Sequence, residues 1–240
     1  DVVEVAVGGA HALALKSDGT VWSWGLNSAG QLGDGTTVSR NTPVQVKNLT
    51  EVVSIAAGSA HSLAARSDGS VWSWGERQDR QLGVFTPKGP VSLPVQIPIT
   101  GVNSVAAGYI RSAALKSDGT IMQWGEGISA PTLLLGLNGI VKIAYGRLGI
   151  ALKSDGTVWQ FGNGSPNQIG TLTGIVSVAG GVKHSIAVKS DGTVWTWVLP
   201  NNSTNNLRGE LGDGTNTSRA INTPIQVVGL TNVKSVAAGF

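Results

Sequence analysis

The stretch LKSDGTVWSWG, residues 15–25, returns four more times along the chain. The copies are ARSDGSVWSWG (65–75), LKSDGTIMQWG (115–125), LKSDGTVWQFG (152–162) and VKSDGTVWTWV (188–198). Ser-Asp-Gly begins at Ser17, Ser67, Ser117, Ser154 and Ser190, so the spacings are 50, 50, 37 and 36 residues. A period of this length is the signature of a solenoid, a propeller or an array. The phrase also has a local reading. Asp18-Gly19 predicts a two-residue type I′ hairpin turn, because Asp-Gly supplies the positive φ that this turn requires. Val21, Trp22, Ser23 and Trp24 then form one strand, and His11 to Lys16 the other. The expected faces are Trp22, Trp24 and Leu13 on one side, with Val21, Ala12 and Ala14 on the other.

Outward from the phrase, each copy is preceded by a strand ending in small residues: VAVGG (5–9), IAAGS (55–59), VAAGY (105–109), IAYGR (143–147) and VAGGV (178–182). A sixth such segment, VAAGF, occupies 236–240. Most units close on a proline-containing strand: TPVQV (42–46), LPVQI (93–97), APTLL (130–134) and TPIQV (223–227). No long stretch has a 3.6-residue apolar period, so helices are not expected. Four short strands per unit predict an all-β fold of four-stranded antiparallel blades. Bulky and small faces suit stacked sheets, as in a β-propeller; a solenoid is the alternative. The expected organisation is a single repeat domain over 1–240. Its blades lie near 1–50, 51–100, 101–138, 139–173 and 174–230, and 231–240 starts a further repeat.

Composition excludes several classes. The 240 residues are 41% apolar, enough for a sizeable core, yet no apolar run is long enough to cross a bilayer. No charged-then-apolar leader opens the chain. Cysteine is absent, which removes disulfides, thiolate metal sites and a cysteine nucleophile. Seventeen basic residues face 14 acidic ones, with no concentrated basic stripe, so nucleic acid is not an expected partner.

The repeated chemistry reads as scaffold. The eight tryptophans (22, 24, 72, 74, 124, 159, 195 and 197) occupy two fixed strand positions, where Met122 and Phe161 fill the gaps. That pattern indicates packing between blades. His11, His61 and His184 share one position, with Arg111 and Leu148 in the other copies. A structural hydrogen bond to backbone is expected there, since a metal needs several converging ligands. The basic residues Lys16, Arg66, Lys116, Lys153 and Lys189 each precede an aspartate by two positions. A solvated hairpin rim is expected, and Ser-Asp-Gly-Thr supplies too few oxygens for calcium. No nucleophile–base set, phosphate loop or His-x-x-x-His is present, so neither enzymatic activity nor a cofactor is expected.

IAAGSAHSLAARSDGSVWSWG (55–75) and QLGDGT (31–36), followed by a proline strand, resemble the regulator-of-chromosome-condensation repeat. The resemblance spans essentially the whole chain. It implies a propeller of about seven blades with about fifty residues in each. Phe240 falls in mid-phrase, so the chain reads as part of a longer propeller, with a closed five-bladed ring as the alternative. The family's founding member is an exchange factor for a GTPase and binds chromatin, but no residue here can be matched to exchange. The family's photoreceptor tryptophans are also missing, since the corresponding stretches read GGAH, GSAH, GYIR, GRLG and GVKH. Similarity to bacterial propellers, among them an inhibitor of β-lactamases, implies a protein-binding surface.

Function is expected where the copies diverge. In an up-and-down sheet the first-to-second and third-to-fourth connections share one face, and the third-to-fourth loops vary most: 26–41, 76–92, 126–129, about 163–170, and 199–222. Candidate partner contacts there are Arg77, Asp79, Arg80 and Phe85, then Tyr109, Ile110 and Arg111, and finally Arg147, Lys183 and Arg208. The expected function is a non-enzymatic protein-interaction scaffold with a protein partner, on a secreted or surface bacterial protein, without membrane insertion. A carbohydrate-binding or hydrolytic propeller, with PNNSTNNLRGE (200–210) at a cleft, is one alternative; GTPase exchange by family analogy is the other.

Overall fold

The computed structural model describes residues 1–85, 89–162, 164–200, 206 and 209–239, and those residues form strands and turns without a helix. The first sheet contains β1 (Val2–Val7), β2 (His11–Lys16), β3 (Val21–Gly25) and β4 (Arg40–Gln45). The second contains β5 (Val52–Ala57), β6 (His61–Arg66), β7 (Val71–Gly75) and β8 (Val91–Ile97). The third contains β9 (Val102–Ala107), β10 (Arg111–Lys116), β11 (Ile121–Gly125) and β12 (Ile128–Leu133). The fourth is β13 (Ile140–Tyr145), β14 (Gly149–Lys153), β15 (Val158–Phe161) and β16 (Asn167–Gln168). The fifth is β17 (Ile175–Gly180), β18 (His184–Lys189), β19 (Val194–Val198) and β20 (Ile225–Gln226). Every sheet is an antiparallel meander in chain order. Two compact units divide the chain: residues 1–134 hold three sheets, and 135–240 hold two.

The Asp-Gly turn differs from the expected one. Gly19 has φ +77°, but Asp18 is not in the positive-φ region, so the turn is not type I′. Gly19 N–H donates to Lys16 O (3.0 Å) and Lys16 N–H to Thr20 O (2.9 Å). That is a three-residue loop, Ser17-Asp18-Gly19, with glycine in the left-handed bulge position. Asp18 Oδ1 accepts from Thr20 N–H (3.0 Å) and Thr20 Oγ1 (2.6 Å), and the same pair of bonds recurs at Asp68, Asp118, Asp155 and Asp191. These bonds, the Thr20 hydroxyl's first, hold the Asp18 carboxyl well below the ordinary carboxylate range. Salt bridges from Lys16 to Asp18 (3.0 Å) and Arg66 to Asp68 (3.3 Å) complete a rim of locally paired charges.

One extra loop residue moves the register by one and changes which side chains share a face. Leu13 stands opposite Ser23 and Leu15 opposite Val21, while Ala12 and Ala14 stand opposite Trp24 and Trp22. Leu13 therefore belongs with Val21, and the tryptophans lie over the small alanines, contrary to the expected faces. This arrangement packs sheet on sheet. Leu13, Leu15 and Val21 of the first sheet meet Ile55, Ala57, Ala64 and Trp74 of the second. Leu63, Ala65 and Val71 meet Val105, Ala114 and Trp124 in the same way. In the second unit, Ile150, Leu152 and Val158 meet Val178, Ala187 and Trp197.

A buried polar clasp accompanies this packing. In the loop after β3, Gln31 O accepts from Trp74 Nε1 (2.9 Å) and from Ser62 Oγ (2.9 Å), both in the next sheet. Ser62 Oγ also lies 2.9 Å from His11 Nε2. Because the serine proton goes to Gln31 O, His11 must donate from Nε2. Gln81 O, Trp124, Ser112 and His61 repeat the set at 2.8, 2.8 and 2.9 Å. The histidine partner is thus a serine hydroxyl of the neighbouring blade, not the expected backbone group.

The clasp residues are lost together. The fourth sheet has Gly149 opposite Phe161 where the second has Ser62 opposite Trp74, and Leu148 stands in the histidine position. Phe161 fills the space beside Gly149, and Tyr145 meets it edge-on at 5.4 Å. The fifth sheet keeps Ser185 opposite Trp197, but the fourth supplies neither histidine nor a Gln-Leu-Gly loop. Ser185 Oγ and Trp197 Nε1 are accordingly buried without a partner.

Candidate functional site

The connections after the third strands follow two designs. In the first sheet, Asn27 is buried and organises its loop. Its Nδ2 donates to Asp34 Oδ1 (3.2 Å), Thr36 O (3.1 Å) and Val38 O (3.1 Å), and its Oδ1 accepts from Leu32 N–H (2.9 Å). Arg40 grips Asp34 Oδ2 through Nε (3.0 Å) and Nη2 (2.8 Å). The fifth sheet contains the same device at the same spacing. Asn206 Nδ2 reaches Asp213 (3.2 Å), Thr215 O (3.2 Å) and Thr217 O (3.1 Å), and Arg219 Nε bonds Asp213 (2.7 Å). The segment 199–222 thus includes a copy of the first loop, and the shared LGDGT (32–36 and 211–215) carries the signal. Asn27→Ala leaves buried groups unpaired and is expected to cost about 2–3 kcal/mol, read as a lower urea midpoint.

The second sheet's loop departs from that design. Gln81-Leu82-Gly83 still plugs the blade, with Leu82 fully buried. Around it, Arg77 replaces asparagine, Val84 replaces aspartate, and Val91 stands opposite Gly75 where Arg40 stands opposite Gly25. The network cannot form there. The left-handed position occupied by Gly30 (φ +82°) and Gly209 (φ +75°) holds Arg80 at φ +62°. An arginine there costs on the order of 1 kcal/mol that glycine would avoid. Phe85 is fully exposed.

These residues surround a cleft of about 550 Å³ lined by Arg77, Gln78, Arg80, Val84, Phe85 and Ser129. A second cleft, of about 290 Å³, is also lined by Arg77 and Gln78 and extends to Ser28 and Ala29. Arg77 is fixed, since its Nε donates to Gly89 O (3.1 Å). Glu76 turns inward: its Oε1 accepts from the N–H groups of Arg77 (2.7 Å) and Gln78 (3.0 Å). No ion pair is recorded for Arg80 among the described residues. Arg77→Ala, unlike Asn27→Ala, is expected to cost under about 1 kcal/mol.

Of the predicted contacts, Arg77, Arg80 and Phe85 come together here, and Asp79 is exposed on the same loop. Tyr109, also exposed, accepts Ser59 N–H at its carbonyl (3.3 Å). Ile110 O accepts Glu126 N–H (3.2 Å), and Arg111 pairs with Glu126 (3.4 Å). In the second unit, exposed Arg147 donates its N–H to Gly181 O (3.1 Å), and Lys183 O accepts Leu199 N–H (3.2 Å). Arg208 lies outside the described residues. Gln78, Val84 and Ser129 were not anticipated. The first two sit in the loop whose departures from its 50-residue counterpart are visible in the sequence.

Among the described residues no three His, Asp or Glu side chains gather to hold a metal. Nor is any helix long and apolar enough to cross a membrane.

Family comparisons bear on residues 2–115, and structural ones on nearly the whole chain. The family described as regulator of chromosome condensation (RCC1) repeat matches residues 18–65 and 68–115, and a second profile of the same description matches 2–31 and 52–81. The human E3 ubiquitin-protein ligase HERC2 is 46% identical over 48 residues, 20% of this chain and 1% of that protein. The chain therefore spans only a small fraction of that relative. The crystal structure of human WBSCR16 superposes with a TM-score of 0.83 at 25% identity, over 99% of this chain and 70% of that one. Prp20p of Saccharomyces cerevisiae, whose structure was described with its binding to Gsp1p and histones, gives 0.78 at 24% identity, over 99% and 68%. The sheets are β-propeller blades.

Proposed function

We propose, for a chain that belongs to the RCC1 repeat family, that it is a non-enzymatic protein-interaction propeller whose partner docks on the loop of the second blade. One observation carries this reading. The loop keeps the Gln-Leu-Gly plug that the fold needs, gives up the Asn–Asp–Arg network, and presents Arg80 and Phe85 around an open cleft. Arginine and aromatic side chains in a cleft are the residue types that anchor protein interfaces. Yeast RCC1 (Prp20), one protein of the same fold, was solved bound to Kap60 and described with its binding to Gsp1p and histones, which supports a protein partner for this propeller as well. A secreted or cell-surface bacterial setting belongs to the same proposal and rests on the absence of cysteine.

The test is affinity capture from extracts of the producing cell, with the wild-type chain and with Phe85→Ala/Tyr109→Ala/Arg111→Ala as bait. The triple variant is expected to unfold within a few degrees of wild type and to lose a protein that the wild type retains. Retention of that protein by the variant would overturn the assignment of this face.

A further inference from the structure

Resting on that reading, we infer that the second-blade clefts take an extended acidic peptide carrying a bulky apolar residue. The two clefts share Arg77 and Gln78 as a common wall. One cleft reaches Ser28 of the first blade and the other Ser129 of the third, inside one compact unit. Neighbouring clefts with shared lining residues suit an extended chain, whose side chains point alternately to opposite sides.

Charge decides the polar half of the ligand. Arg77 and Arg80 both line the larger cleft. The neighbouring carboxylate of Glu76 spends Oε1 on backbone N–H groups at 2.7 and 3.0 Å. Arg77, whose Nε is already bonded to Gly89 O, and Arg80 bring two guanidinium groups to a loop that also exposes Asp79, and guanidinium pairs with carboxylates more strongly than neutral donors do. Backbone strain adds weight. In the two loops that carry the Asn–Asp–Arg network, the left-handed position is Gly30 or Gly209; in the second blade an arginine holds it at a conformational cost. Phe85 and Val84 decide the apolar half. Phe85 is 104% exposed, so it gains from any side chain that covers it. Phosphate would also suit two arginines, but a nucleic-acid backbone has no use for this apolar wall, and the chain carries only three excess positive charges.

The probe is a fluorescein-labelled peptide, Asp-Glu-Leu-Asp-Glu-Leu, titrated with the 240-residue chain and read by anisotropy. Two control peptides replace the acids by Asn and Gln, or the leucines by Ser; an oligothymidylate is the third. The acidic peptide is expected to bind, to weaken as salt rises, and to exceed each control by at least about tenfold. The decisive variant is Arg80→Gly, which restores the residue found in the first blade. It is expected to weaken the peptide at least about tenfold while its melting temperature holds or rises. A structural role alone would give the reverse pattern. No binding by wild type, equal binding of the Asn/Gln control, tighter binding of the oligothymidylate, or an unaffected Arg80→Gly variant would each overturn the inference. If the peptide fails while the triple variant still loses its captured protein, the docking face stands and only the ligand chemistry falls.

Discussion

Replacing Trp74 by alanine is expected to destabilise the first compact unit by about 3–5 kcal/mol, the range for deleting a large core aromatic. Trp74 is 0% exposed and packs among Leu13, Leu15 and Val46 of the preceding blade. Its Nε1 also donates to Gln31 O at 2.9 Å. Trp74→Phe separates the two contributions. It keeps most of the bulk, removes the donor, leaves Ser62 as the only donor to Gln31 O, and should cost about 1–2 kcal/mol. Trp24 occupies the same position in the first blade but is only half-buried, so Trp24→Ala should cost clearly less. Urea unfolding followed by the remaining tryptophan fluorescence measures all three. A loss under about 1 kcal/mol for Trp74→Ala would show that the blades are not held by these side chains.

The first unit is also expected to lose stability on mild acidification. His11 and His61 are buried in the clasp, 4% and 0% exposed. Burial depresses their pKa values from 6.5 to about 4 and about 3, with the nearby His11 adding to the effect on His61. The folded state therefore favours the neutral imidazoles. Their contribution is complete above the unfolded value of 6.5 and falls as the pH drops toward the folded values, because the unfolded chain then binds more protons. Each histidine should thus cost about 1.5 kcal/mol between pH 6.5 and pH 5. Protonation also supplies Nδ1 with a proton that has no acceptor, since that atom has no partner in either ring. The turn aspartates do not blur this window, because their folded pKa values are lowered from 3.8 and their contribution is lost only at lower pH. Urea midpoints from pH 7 to pH 5 give the slope. His11→Gln/His61→Gln should flatten it, whereas an unchanged slope would place the acid sensitivity elsewhere.

The period, the five four-stranded sheets and the core role of Trp74, Trp124 and Trp197 were legible in the sequence because each copy repeats the same local chemistry, whereas Trp22, Trp24, Trp72, Trp159 and Trp195 are only half-buried. The faces were not. Asp-Gly reads as a two-residue turn, which would set Leu13 opposite Trp24; the observed loop includes Ser17 and sets Ala12 there instead. Only the φ of Asp18 distinguishes the two, and nothing in the dipeptide fixes it. The histidine partner was hidden for a different reason. Ser62 is 51 residues from His11, and their contact exists only once one blade lies on the next. Loop length also misled. The segment 199–222 looked variable because of its inserted residues, yet its Asn206–Asp213–Arg219 network copies Asn27–Asp34–Arg40. The loop that departs is only one residue longer than its counterpart, 76–92 against 26–41, and in it Gly, Asn and Asp became Arg80, Arg77 and Val84.

A loop graft tests this division of labour most directly. Replacing residues 76–91 by LNSAGQLGDGTTVSR, the sequence of 26–40, removes the one extra residue and sets arginine opposite Gly75 as Arg40 stands opposite Gly25. The graft restores the Asn–Asp–Arg network and glycine at position 80, and it removes Arg77 and Phe85. Stability and binding of the acidic peptide are then measured on the same chain. The expected result is a melting temperature equal to or above wild type together with loss of binding. Binding at wild-type strength in the graft would contradict the proposal that this loop carries recognition.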